Sequence, residues 1–137
     1  MILAHGYATA SSIASSVNEM LGQYVFEAID MPLDTTTDQI LVKLKSFIDR
    51  YTKIKDLILL VDMGSLEKIY DHLSHTTNFN IAIANNVSTK FALFVGEGIS
   101  KNEPLKHIFD ESIGMLDTNY KITERKEKEK IILCSCA

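Results

Sequence analysis

Residues 57 to 62 have the sequence Leu57-Ile58-Leu59-Leu60-Val61-Asp62, in which five consecutive apolar residues lead to an aspartate. An unbroken apolar run of this length is typical of a central parallel strand that is buried on both faces. Three further short apolar runs alternate with amphipathic stretches of helix length. This alternation predicts repeated βαβ units, and hence an α/β fold in which helices cover both faces of a mostly parallel sheet.

The bounds of the elements follow from periodicity and from stop signals. Strands are predicted at Ile2–Ala4, Val25–Ile29, Leu57–Val61 and Asn80–Ala84. Helices are predicted at about Thr9–Leu21, from the cap-forming residues 34–38 to Tyr51, at about Ser65–Ser74, at about Ser88–Val95 and after Pro104. Gly22, Gly96 and Gly98 are expected to end helices. The common doubly wound topology predicts the strand order 2-1-3-4, and residues 119 to 123 could add an antiparallel fifth strand at one edge.

Length, charge and hydropathy exclude several classes of protein. The chain has 137 residues and is 46% hydrophobic, which suits one domain with a single layered core. Its net charge of -4 provides no basic stripe, so we expect no direct contact with nucleic acid. No apolar run approaches about 18 residues and no signal-peptide pattern is present, so we expect no membrane insertion and a cytoplasmic location.

The final residues differ in composition from the rest. Residues 124–130 are all charged and of mixed sign, which is typical of a solvated helix end or linker. The apolar run that follows, residues 131–134, resembles a new strand. We therefore predict one domain over 1–123, and over 124–137 a charged linker with the truncated start of another domain. Cys134 and Cys136 are too close in sequence for an ordinary disulfide in an extended segment, which favours a reducing compartment.

Three polar sets follow the predicted strands: His5-Gly6, Asp62-Met63-Gly64-Ser65 and Asn85-Asn86. Ligands and catalytic groups of open parallel sheets gather at the carboxyl ends of the strands, near the point where the strand order reverses. Strands one, three and four are neighbours in the predicted order. His5, Asp62 and Asn86 are therefore expected to converge.

The chemistry of an imidazole depends on which nitrogen carries the proton. If Asp62 accepts a hydrogen bond from Nδ1 of His5, Nε2 keeps its lone pair and can act as a nucleophile toward phosphorus. His5 and Asp62 are the predicted catalytic pair. Backbone N–H groups at residues 8–10 could face the phosphoryl oxygens at the start of the first helix. Gly6 would permit the tight turn, and the predicted supporting side chains are those of Thr9, Ser11, Ser12, Ser65 and Asn86.

Each of these residues also has a structural interpretation. A single histidine after a strand is often an incidental loop residue, and an aspartate there can simply cap the next helix. His72 and His75 lie one turn apart, but a metal site needs three or four ligands, so neither they nor His107 predict one. Ser65 lacks the G-x-S-x-G elbow of hydrolases. No metal and no cofactor is predicted.

At this point three motifs resemble a known family, the mannose-type enzyme IIA domains of the bacterial sugar phosphotransferase system. Ile2-Leu3-Ala4-His5-Gly6 is similar to the first-strand motif with the phosphorylated histidine. Leu59-Leu60-Val61-Asp62 is similar to the motif with the supporting aspartate, and Asn86-Val87-Ser88 to the turn after strand four. The resemblance covers about residues 1–123. It implies phosphoryl transfer from the phosphocarrier HPr to His5, and a homodimer in which a late strand near Tyr120 to Ile122 pairs with the partner subunit.

One departure from the family concerns the loop after Asp62. Transport members carry a longer D-x-x-G-G-S-P loop, whereas this chain has Asp62-Met63-Gly64-Ser65-Leu66. The short loop, with residues 5–14 and 29–34, resembles the version in levan-regulator-type, sigma-54-dependent transcriptional activators. In such regulators an enzyme IIB-like domain follows, and Cys136 would correspond to its cysteine.

Three hypotheses remain open at this stage. The first is a regulatory phosphocarrier domain, and the second is a transport enzyme IIA that passes phosphate to an enzyme IIB. The third is a binding module of the receiver or flavodoxin type. A receiver needs paired acidic residues after its first strand to hold Mg²⁺, and this chain has Ala4-His5-Gly6 there.

Overall fold

The computed structural model describes residues 1–51, 53–62, 66–125 and 133–134. Its elements in chain order are β1 Ile2–His5, α1 Thr9–Leu21, β2 Ala28–Met31, α2 Thr37–Ile48, β3 Asp56–Val61, α3 Leu66–Thr76, β4 Asn80–Ala84, α4 Thr89–Ser100 and α5 Leu105–Gly114. All pairs of neighbouring strands are parallel, and the order is β2-β1-β3-β4. The predicted α/β class and strand order are confirmed.

The sheet separates two apolar cores because side chains of a strand alternate between its faces. Ile2, Ala4, Ile58 and Leu60 contribute to the core beneath α1, α4 and α5. The intervening strand residues, among them Leu3 and Leu59, contribute to the core beneath α2 and α3. The run at 57–61 is buried on both sides as predicted, and burial of each large apolar side chain stabilises the fold by about 1.5–3 kcal/mol.

The second strand begins later than predicted. It was expected at Val25–Ile29 and lies at Ala28–Met31. The side chain of Asn18 on α1 accepts hydrogen bonds from the N–H groups of Val25 and Phe26, both at 2.9 Å, and donates to the carbonyl of Phe26 at 3.0 Å. These hydrogen bonds hold Val25 and Phe26 against α1. The strand therefore begins only after these residues.

The fourth helix continues through the two glycines that were expected to end it. It spans Thr89–Ser100, and Gly96 and Gly98 are both buried within it. A Cβ at Gly96 would lie 2.6 Å from Cδ1 of Leu21, and one at Gly98 would lie 2.7 Å from Cγ1 of Ile108. The absence of a side chain at these two glycines therefore allows α4 to pack closely against its neighbours. The prediction failed because this packing cannot be read from local sequence.

Capping residues and stop residues predicted other helix boundaries correctly. Gly22 ends α1 with φ 68°, as its position predicts. Thr36 caps α2 by accepting from the N–H of Gln39, whose side chain accepts in return from the N–H of Thr36. Pro104 is the residue immediately before α5. The remaining bounds differ from the predictions by no more than a few residues.

The fifth strand considered at 119–123 is not formed in the described chain. Lys90 binds Asp117 at 2.6 Å, and beyond that contact Tyr120 and Ile122 are exposed. An edge strand needs a partner for its backbone hydrogen bonds, and no other part of the described chain supplies one here. Most of 124–137 lies outside the described residues, so the prediction of a second domain there stays a prediction. Among the described helices, none has the length and apolar character needed to cross a bilayer.

Candidate functional site

The catalytic edge predicted from the sequence centres on His5 and Asp62. His5 is the last residue of β1, and Asp62 comes directly after the neighbouring strand β3. Oδ1 of Asp62 lies 2.9 Å from Nδ1 of His5, and Oδ2 accepts a hydrogen bond from the backbone N–H of His5 at 2.8 Å. The two side chains are 19% and 25% exposed. One carboxylate thus binds both the ring and the backbone of the histidine.

This arrangement selects the tautomer of the imidazole. An ionised carboxylate only accepts hydrogen bonds, so the ring must donate from Nδ1. In the neutral ring the proton is then absent from Nε2, which keeps its lone pair. The geometry therefore gives a partly exposed, oriented histidine with a nucleophilic nitrogen and an adjacent negative charge that would stabilise an imidazolium.

Gly6 makes the turn from β1 into α1. Its φ is 122°, a backbone conformation that residues with a side chain rarely adopt. Its N–H donates to the carbonyl of Met31 at 2.8 Å, which ties the turn to β2. A Cβ at this position would lie 2.5 Å from Oγ1 of Thr9. The glycine is therefore required both by the backbone and by the close approach of Thr9.

The hydroxyl residues predicted at the start of α1 have different environments. Thr9 and Ser12 are exposed, and the N–H of Ser12 donates to the carbonyl of Ala8. Ser11 donates its N–H to Oδ1 of Asp30 at 3.0 Å and its hydroxyl to Oδ2 of the same carboxylate. Sequence reasoning missed Asp30. The available signal was its position as a polar residue between two apolar residues of a strand. Such a residue points to the opposite face of the sheet from its neighbours, which here is the face covered by α1.

The remaining predicted supporting residues are less directly connected to His5. Asn86 is half-buried and accepts a hydrogen bond from the hydroxyl of Ser88 at 3.0 Å. Ser88 in turn caps α4 by accepting from the N–H of Phe91. Within the described chain Asn86 makes no hydrogen bond to His5, so its observed contact is with the cap of α4. Ser65 lies outside the described residues.

The other histidines lie on helices. Nδ1 of His75 contacts the carbonyl of Asp71 at 2.6 Å, and Nε2 of His107 lies 3.5 Å from Glu103 and 3.7 Å from Glu111. Over the described residues, no three side chains of His, Cys, Asp or Glu form a group that could hold a metal ion. His5 is therefore the histidine that combines a strand-end position with an oriented ring.

A cavity of about 380 Å³ lies at the opposite edge of the sheet, at the amino ends of the strands. Glu27, Tyr51 and Leu57 are among its lining residues, and none of the predicted site residues is. The hydroxyl of Tyr51 donates to Glu27 at 2.6 Å, and this hydrogen bond raises the pKa of Tyr51. The cavity is therefore separate from the chemistry at His5.

The chain is similar in sequence to a known family over its first 85 residues. Residues 1–85 match the mannose-type enzyme IIA family, described as the PTS system fructose IIA component. The chain belongs to this family. The matched segment runs from β1 to the end of β4 and includes both His5 and Asp62. The resemblance inferred from the three motifs is confirmed.

The relatives of this enzyme IIA domain are regulatory proteins. The transcriptional regulatory protein LevR of Bacillus subtilis (strain 168) is 33% identical over 93 residues, which are 68% of this chain and 10% of LevR. The transcriptional regulatory protein DagR of Salmonella typhimurium (strain 14028s / SGSC 2262) is 34% identical over 100 residues, 73% of this chain and 11% of DagR. The chain thus spans about a tenth of the length of these curated relatives.

A solved structure also matches. The crystal structure of a sigma-54 interaction domain protein from Enterococcus faecalis superposes with a TM-score of 0.75 at 26% identity. The match covers 82% of this chain and 84% of that chain. The fold of this chain is therefore similar to that of a sigma-54 interaction domain protein.

Proposed function

We propose that this chain is a regulatory phosphocarrier domain that accepts a phosphoryl group from phospho-HPr on Nε2 of His5. The observation that carries the proposal is the double hydrogen bond from His5 to Asp62, which fixes the ring with Nδ1 as donor. In the transfer, a bond forms between Nε2 and phosphorus while the bond between phosphorus and the donor histidine breaks. The donor ring, protonated on its other nitrogen, leaves with the electron pair as a neutral imidazole, and the positive charge passes to the His5 ring, which keeps its Nδ1 proton beside Asp62.

The roles of the surrounding residues follow from charge. Asp62 would stabilise the positive imidazolium character that develops on His5 as Nε2 attacks. The N–H groups at the start of α1 and the hydroxyls of Thr9 and Ser12 would face the phosphoryl oxygens, because a helix N-terminus favours an anion. Gly6 would keep the approach to His5 open. Ser65 and Asn86 are proposed as further supporting residues at the same sheet edge.

Regulation is favoured over transport by the relatives, since LevR and DagR are transcriptional regulators. Phosphorylation of His5 would then report the state of the phosphotransferase system to a sigma-54-dependent activator. We propose a cytoplasmic homodimer whose enzyme IIA domain makes no direct contact with nucleic acid, followed over 124–137 by the start of an enzyme IIB-like domain.

The direct test is phosphorylation with purified components. Incubation of the domain with enzyme I, HPr and phosphoenolpyruvate should add one phosphate per chain, and His5→Ala should abolish it while the fold is kept. The bond should be labile in acid and stable in alkali, as expected of a phosphoramidate and unlike a serine phosphate. His72→Ala is the matched control and should be phosphorylated like the unaltered domain. Label that persists in folded His5→Ala protein would refute the assignment of His5.

The regulatory part of the proposal needs a different measurement. In the full-length protein, transcription from a sigma-54-dependent reporter should respond to the presence of HPr, and His5→Ala should remove that response. An unaltered response in the His5→Ala strain would refute regulation through His5, and rapid transfer of the phosphate from His5 to an enzyme IIB of a sugar transporter would favour the transport alternative.

A further inference from the structure

Asp30 occupies a position at the site that the sequence did not reveal. It lies in β2 directly opposite Ala4 of β1. Its neighbours Ile29 and Met31 are buried in the core beneath α2 and α3, so by alternation Asp30 faces α1. There its two carboxylate oxygens accept the N–H and the hydroxyl of Ser11. A strand residue thus holds the first turn of the neighbouring helix.

The first turn of α1 has no local substitute for this contact. Ala8 at the N-cap makes no side-chain hydrogen bond, and the first turn contains no acidic residue. A side chain that accepts a hydrogen bond at this position normally stabilises a helix, and an anion is favoured there by the helix dipole. Asp30, which belongs to β2, supplies both the hydrogen-bond acceptor and the negative charge.

The same strand also holds the turn that leads from His5 to the helix. The N–H of Gly6 donates to the carbonyl of Met31, the residue after Asp30. The turn is therefore fixed to β2 at its start by Gly6 and at its end by Ser11. The N–H groups of Thr9 and Ala10, between these two points, have no partner within the helix.

We propose that Asp30 is a positioning residue for phosphoryl transfer, acting through Ser11 to hold the first turn of α1 beside His5. The inference rests on the proposed function, because it concerns how the phosphoryl group on His5 is received. Asp30 lies on one side of β1 and Asp62 lies on the other, but the two carboxylates have different roles. Asp62 orients the nucleophile, and Asp30 orients the helix end that faces the transferred group.

The test compares two substitutions of Asp30. Asp30→Ala removes the tether, and the maximal rate of phosphate uptake from phospho-HPr should fall by about ten- to hundredfold, since small misplacements of this kind have such effects. The donor concentration at half-maximal rate should not change, because the surface that meets the donor is kept. Asp30→Asn can still accept the N–H of Ser11 and donate to its hydroxyl oxygen, so it should retain a rate within about threefold of the original.

A second pair of variants covers the case in which Asp30→Ala does not fold. Ser11→Ala loses one of the two hydrogen bonds and should lower the maximal rate less than Asp30→Ala does. Ser15→Ala, which alters an exposed serine one turn further along α1, is its control and should leave the rate unchanged. A folded Ser11→Ala protein with the full rate would overturn the inference, as would an Asp30→Asn variant that is as slow as Asp30→Ala.

The outcomes also separate this inference from the proposed function. If the unaltered domain takes up no phosphate from HPr, the proposed function fails. If it takes up phosphate and folded Asp30→Ala does so at the same rate, the function stands and only the role of Asp30 is rejected. Circular dichroism of each variant before the assay establishes that the rate, and not the folded fraction, has changed.

Discussion

The carboxylate of Asp62 accepts one hydrogen bond from the backbone of His5 and another from its ring. Asparagine at this position would have a single acceptor oxygen and would present an NH₂ donor to one of the two N–H groups. If the amide donates to Nδ1, the proton moves to Nε2 and the nucleophilic lone pair is lost. The identity of this one residue therefore determines the protonation pattern of the site.

Asp62→Asn should slow phosphorylation by at least about hundredfold, because a wrong tautomer adds to the loss of charge stabilisation. The rate of phosphate uptake from phospho-HPr measures the effect, and the ¹⁵N shifts of the His5 ring report the tautomer. Asp49→Asn is the control, since Asp49 binds Lys45 at the far end of α2. An unchanged rate in the Asp62→Asn protein would rule out the role of this carboxylate.

A second prediction at the residue scale concerns the effect of Gly6 on the stability of the fold. Gly6→Ala combines a forbidden φ of 122° with a Cβ 2.5 Å from Thr9 Oγ1, and should cost about 1–3 kcal/mol of the free energy of unfolding. Urea denaturation measures this cost. Gly114→Ala, where a Cβ would meet nothing within 4 Å, should not destabilise the domain, because alanine is the better helix former at this last residue of α5. Equal effects of the two substitutions would contradict the assigned strain.

At the scale of the elements, α4 and α5 approach closely because Gly98 has no side chain. A Cβ there would lie 2.7 Å, 3.2 Å and 3.3 Å from Cγ1, Cγ2 and Cβ of Ile108. These atoms lie near the backbone of α5, so they cannot move aside as the end of a long side chain can. At Gly96 the nearest atom is the flexible Cδ1 of Leu21. The two glycines should therefore tolerate substitution differently.

Gly98→Ala should destabilise the domain by about 1–3 kcal/mol through overpacking, even though alanine is intrinsically the better helix former. Gly96→Ala should cost less. Chemical denaturation of each variant measures the difference. When Ile108 is also replaced by alanine, Gly98→Ala should lower the free energy of unfolding by at least about 0.5 kcal/mol less than it does alone. The reason is that Ile108→Ala removes the atoms Cγ1 and Cγ2 that would clash. Strict additivity of the two changes would show that the helices do not meet as described.

At the scale of the whole molecule, the described residues form one sheet with an apolar core on each face. His5 and Asp62 lie together where β1 and β3 end, and α1 begins a few residues after His5. Beyond α5, Tyr120 and Ile122 are 81% and 68% exposed in a segment without strand structure. Two large apolar side chains in such a position are consistent with the proposed pairing to a partner subunit.

At this scale we expect a concentration-dependent dimer. Sedimentation analysis of the unaltered protein should show dimers, and Tyr120→Ser combined with Ile122→Ser should shift the equilibrium to monomers without affecting phosphorylation of His5. Val42→Ser, which replaces an exposed apolar residue on α2, should leave the dimer intact. A double variant that is still dimeric, or an original protein that stays monomeric at high concentration, would exclude this interface.

The outline of the fold and the contact between His5 and Asp62 could be predicted from the sequence, because the strands and their ends have local signals. The apolar run at 57–61 and the alternation around it predicted the sheet. The parallel topology then brought His5 and Asp62 to one edge, where the expected hydrogen bond is present. Family motifs added the phosphoryl chemistry, which geometry alone does not specify.

Other features depend on contacts between different elements of the fold, and only the tertiary structure decided them. Asn18 delays the start of β2 by bonding to Val25 and Phe26, and Gly98 lies inside a helix because α5 packs against it. The pairing of Asp30 with Ser11 joins a strand to a helix 19 positions earlier in the chain. Periodicity and caps report what a segment prefers by itself, so the sequence determined the elements and their order. Side-chain partners across elements are set by packing, and they decided where the elements begin and end and which polar groups surround His5.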